Sequence, residues 1–126
     1  MVSAFFFACF SGRLRAMTVI YDLKDALAAL TAGEVSGKSI HLESPPFGAQ
    51  QMGASVFLAL IKEATAQHPS VDFTATLDCG DEPGLALNAL RLGVKSLRVQ
   101  LPPEVFDKIA DIAEKADAAV KNGPRS

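Results

Sequence analysis

Val71-Asp72-Phe73-Thr74-Ala75-Thr76-Leu77 alternates apolar and polar side chains, and Asp78-Cys79-Gly80-Asp81-Glu82-Pro83-Gly84 follows it directly. Strict alternation marks a strand with one buried face. Acids followed by proline mark a helix start, because a missing N–H costs little in the first turn. The same progression from strand to loop to helix recurs over Ser39–Pro46 and Lys95–Glu104. Repeated βα units imply a parallel sheet, and the loops leaving such strands lie along one edge. Any site is therefore expected among Pro45–Met52, Asp78–Gly84 and Gln100–Glu104.

Upstream, Thr18–Tyr21 reads as a strand. Asp22 caps an expected helix with Leu23, Ala26, Leu27 and Leu30 as its buried stripe and Gly33 as its stop. Ser39–Glu43 sets Ile40 and Leu42 against His41 and Glu43. After Ser44-Pro45-Pro46-Phe47-Gly48, the spacing of Met52, Val56, Phe57, Leu60, Ile61 and Ala64 predicts one long helix over Ala49–Gln67. Downstream, Asp81 is expected to cap a helix over Glu82–Leu92. Ser96–Leu101 is expected as a strand, and a last helix to start at Pro103.

Strands covered on both faces read as nearly unbroken apolar runs, and these do not. The expected fold is thus an α/β two-layer sandwich, with about four mostly parallel strands and helices mainly on one face. The other face would stand open, carrying His41, Glu43, Asp72, Thr74, Thr76, Ser96, Arg98 and Gln100.

The chain has 126 residues, 49% of them hydrophobic and 21% charged, which suits one domain, read here as residues 17–120 with a polar tail at 121–126. The first sixteen residues, MVSAFFFACFSGRLRA, differ from the rest. Their apolar block precedes its arginines, the reverse of a secretion signal. They read as a disordered arm or as a start assigned too early, with Met17 the true beginning. A net charge of −2 with scattered Lys and Arg excludes the basic stripe of a nucleic-acid binder. Two cysteines, Cys9 and Cys79, are too few for a disulfide scaffold and read as free thiols of a cytoplasmic protein. No apolar run approaches the ~20 residues of a membrane span.

Two regions can carry function. In the acidic loop, Cys79 ends a strand facing a helix N-terminus, a position that favours thiolate. Asp78, Asp81 and Glu82 oppose that by surrounding it with negative charge, and neither His41 nor His68 is placed as its base. The same acids suit a hard cation only if Glu43 or Glu104 joins them, and capping alone accounts for Asp81 and Glu82. Glu43, Asp78, Cys79 and Asp81 therefore form a candidate ligand or metal loop, with no catalytic residue and no metal assigned. In the other region, Phe47-Gly48-Ala49-Gln50-Gln51-Met52-Gly53 matches neither the dinucleotide fingerprint nor the P-loop, so no cofactor is expected.

The run from Tyr21 to Val99 resembles the layout of STAS domains, small regulatory modules of the anti-sigma-factor-antagonist type. Asp22–Leu30 leading into Ser39-Ile40-His41-Leu42-Glu43 is similar to their helix and central strand. Gln50-Gln51-Met52-Gly53-Ala54-Ser55-Val56-Phe57 is similar to the segment where that family has Asp-Ser-x-Gly before an apolar helix, and Ala86–Val94 to their closing helix. The resemblance places the family's phosphorylated Ser/Thr near Gln51, which accepts no phosphoryl group, and Ser55 lies a turn too late. It implies a non-enzymatic regulatory domain that binds another protein, or itself, through Phe47, Gln50, Gln51 and Ser55. The alternative is a small enzyme, or a metal- or phosphometabolite-binding subunit, using the acidic loop.

Overall fold

A computed structural model describes residues 16–123. The reading of the first sixteen residues falls, apart from Ala16, outside the described residues. The elements in chain order are β1 (Ala16–Val19), α1 (Leu23–Ser36), β2 (Ile40–Glu43), α2 (Gly48–Gln51), α3 (Gly53–Gln67), β3 (Phe73–Gly80), α4 (Pro83–Leu92), β4 (Ser96–Val99), α5 (Pro103–Lys115) and β5 (Ala119–Asn122).

The strands form one sheet in the order β1-β2-β3-β4-β5, and every neighbouring pair is parallel. Right-handed crossovers between sequential neighbours put all the helices on the same face. The expected two-layer α/β sandwich is what forms, with five strands in place of about four. The additional strand is β5, which begins ahead of the expected polar tail and takes in Lys121 and Asn122. It lacks a clear alternation and is held by its ladder to β4, with Ala119 N–H donating to Lys95 O at 2.9 Å and Gly123 N–H to Val99 O at 2.8 Å.

The core lies between the sheet and the helices. Ile40, Leu42, Leu77, Cys79, Leu97 and Val99 face Leu30, Phe57, Ala64, Ala86, Ala89 and Ile109. Several boundaries depart from the local signals. Gly33 does not stop α1, which continues to Ser36 and ends at Gly37 with φ 72°. Gly33 is needed for packing instead: a Cβ there would meet Ile40 Cγ1 at 2.4 Å. The long helix after β2 is divided at Met52, with Gly53 at φ 84°. The N-cap of α4 is Glu82, not Asp81, and no side chain caps that helix end.

Phe57 is the largest fully buried side chain, 1% exposed, and sits between α3 and the sheet. Phe57→Ala should lower unfolding free energy by about 3–5 kcal/mol, read from the urea midpoint at unchanged slope.

Candidate functional site

The loops leaving β2, β3 and β4 are tied into one edge. Phe47 stands at φ 60°, in the left-handed region that a bulky side chain rarely adopts, and remains 44% exposed. Its ring lies against Gly80, where a Cβ would meet Phe47 Cδ1 at 2.4 Å. Gly80 itself is at φ 61°. Only glycine satisfies both demands. Gln50 Nε2 donates to Cys79 O at 3.1 Å, and Gln100 N–H donates to Gly80 O at 2.8 Å. Beneath them Ser44 Oγ accepts Asp78 N–H at 2.9 Å and donates to Pro45 O at 3.1 Å. Gln50, Gln51 and Ser55 are exposed, as is Val56. Backbone and side-chain hydrogen bonds lie below, and aromatic and amide groups are exposed above.

The acidic-loop residues are dispersed. Glu43 is fully buried on the helix-free face of the sheet, and the Asp78 carboxylate accepts Gly80 N–H at 2.9 Å. Cys79 occupies the β-bulge between Asp78 and Gly80 and points into the core. Burial, and then the Asp78 charge, push its thiol from 9.0 up to about 12. Asp81 is exposed and caps nothing. Strand alternation is the reason for the dispersal, since successive side chains leave on opposite faces. Among the described residues, no three His, Cys, Asp or Glu side chains are grouped to hold a metal ion.

The face opposite the described helices is open only in part: Asp72, Thr74 and Gln100 are exposed there, whereas its centre is closed. Glu43 and Thr76 are fully buried there, and His41 is 6% exposed. Glu43 reaches past the small Thr76 of β3 to Arg98 on β4. Arg98 Nε donates to Oε2 at 2.5 Å and Nη2 to Oε1 at 3.4 Å. His41 Nε2 lies 3.3 Å from Glu43 Oε1 and 3.4 Å from Thr76 Oγ1, and Thr76 Oγ1 is 2.7 Å from Ser96 Oγ. His41 Nδ1 is buried and without a hydrogen-bond partner among the described residues. Leaving such a group unmet costs roughly 1–3 kcal/mol. The polar alternation located all these residues on one face, but their pairing depends on a reach across three strands that no single strand encodes.

No protein-family model matches this chain, and no curated protein is significantly similar to it.

Arg98→Met removes the two-pronged partner of the buried Glu43 carboxylate, so it should destabilise by roughly 3–5 kcal/mol in urea unfolding, with Glu43→Leu/Arg98→Met recovering much of that loss. With Cys9→Ser as background, Cys79 should label with a disulfide reagent at pH 8 only as the protein opens. The raised thiol also has a linkage consequence. Below about 9.0 both folded and unfolded thiols stay protonated, whereas between 9.0 and about 12 only the unfolded one ionises. Stability should therefore fall across that window, and Cys79→Ala should remove that part of the decline.

Proposed function

We propose that this chain is a non-enzymatic, STAS-like regulatory module of the cytoplasm that binds another protein, or a second copy of itself, through Phe47, Gln50, Gln51 and Ser55. The carrying observation is Phe47. A buried phenylalanine could justify a left-handed backbone by its packing, but this one keeps nearly half its surface in water. Such strain costs on the order of 1–3 kcal/mol and persists where the surroundings over-determine it. Here Gly80 and the Gln50 bond fix the ring at the head of α2, with exposed amides around it. A rigid aromatic ringed by polar groups is the pattern of an interface anchor.

The STAS-like part of the reading draws on the quoted segments and on the unbroken succession of one-sided βα units. Gln51 at the acceptor position makes the module constitutive, without a phosphoryl switch. The cytoplasmic assignment draws on the cysteines, of which Cys79 is free and buried. No helix among the described residues is long and apolar enough to cross a membrane. The enzyme or ligand-binding alternative has less support, because Glu43, Asp78 and Cys79 are engaged in the interior.

The test compares the full chain with Phe47→Asp/Gln51→Lys, both shown folded by circular dichroism, in lysate capture, in titration with the captured protein, and in sedimentation of the chain alone. Binding or self-association should weaken roughly 100-fold or more in the variant, as expected for loss of a central anchor. Equal behaviour of the two proteins, or no association by either, removes this reading.

A further inference from the structure

The two lateral edges of the sheet differ. The last strand, β5, carries Lys121, the kind of residue that discourages edge-to-edge pairing. The first strand, β1, which is the outermost on its side among the described residues, is Ala16-Met17-Thr18-Val19, with no charge and no proline. Ile20 N–H donates to Glu43 O at 2.9 Å. In a parallel ladder the backbone groups of successive residues turn to opposite sides, so Thr18 shares the orientation of Ile20 toward β2. The N–H and C=O groups of Met17 and Val19 therefore point away from the sheet.

Beside this edge runs an open groove of about 500 Å³, lined by Thr18, Val19, Tyr21, Asp25, Ala28 and Ala29. Its wall is Tyr21, 66% exposed, and α1 contributes two alanines where larger side chains would have closed it. Asp25 is the one charged residue among the described residues of the lining. Its Oδ2 accepts Tyr21 N–H at 2.9 Å, which fixes the carboxylate at the groove without neutralising it.

We propose that β1 and this groove take up an extended peptide strand of a partner protein, with one bulky apolar side chain in the groove and a Lys or Arg beside Asp25. Strand addition of this kind draws affinity from main-chain hydrogen bonds and specificity from pockets for alternate side chains. A strand added about 4.8 Å beyond β1 would turn alternate side chains toward the helix layer, where Ala28 and Ala29 leave room. This lateral edge is separate from the Phe47 surface, so the two sites stand or fall independently.

The experiment pans a random dodecapeptide phage library on the full chain. Enriched peptides are then titrated against the parent, Val19→Pro and Ala28→Trp. Val19→Pro removes an outward-facing N–H, a loss that edge strands tolerate, and Ala28→Trp fills the groove from an exposed helix position. Enriched sequences should carry an apolar residue close to Lys or Arg and bind each variant roughly tenfold or more weakly, the cost of one lost anchor. Exchange at the Met17 and Val19 amides, fast in the free chain, should slow on peptide binding. Ala28→Trp decides the matter if Val19→Pro does not fold. The proposal is overturned by no enrichment, by peptides that bind Ala28→Trp as well as the parent, or by amides at Met17 and Val19 already protected in the free chain.

Discussion

Handedness governs this molecule more than any single contact. When parallel strands are laid down in sequential order, right-handed crossovers deliver every helix to the same side. Among the described residues, one face of the sheet then carries the apolar helix layer and the other carries polar side chains. The chain answers with two chemistries on the same strands: Leu42, Leu77 and Leu97 toward the helices, His41, Glu43, Thr76 and Arg98 away from them. The sheet's other features follow from this division. Cys79 is buried because alternation returns it, like Leu77 two residues before it, to the apolar side. Glu43 is unavailable to the loops because alternation delivers it to the polar one.

The edge where the strands end is shaped by a different economy of space. Gly80 gives up its side chain so that Phe47 can lie across it, and Gln50 and Gln100 bind the backbone on either side. An aromatic ring is thereby presented outward on a framework of short polar contacts. Charge contributes little to this surface, and shape contributes most.

Period-two alternation from Ser39, from Val71 and from Ser96 was enough to read a two-layer parallel α/β fold from sequence, because one-sided burial writes itself directly into side-chain polarity. Phe47, Gln50, Gln51 and Ser55 were legible as surface for a similar reason, lying at a loop–helix junction off the apolar stripe. Other features depend on distant residues and left no local trace. Gly33 looks like a helix stop until Ile40 is placed against it. The break at Met52–Gly53 interrupts a flawless helical stripe. Strand β5 has almost no pattern of its own, since its pairing with β4 holds it. The burial of the centre of the polar face, at His41, Glu43, Thr76 and Ser96, was missed because alternation reports which side a residue faces and is silent on whether water reaches it.

The ion pair between Glu43 and Arg98 has a further consequence for assembly of the sheet. Strands of four residues share few ladder bonds, so a shifted alignment loses little backbone hydrogen bonding. A shift of one residue would drive a carboxylate or a guanidinium into the leucine layer. A shift of two would carry the two partners out of reach of each other and cost their mutual hydrogen bonds. The pair thus serves as a register key: it discriminates among near-identical alignments of β2, β3 and β4, and its main contribution is to the uniqueness of the native sheet.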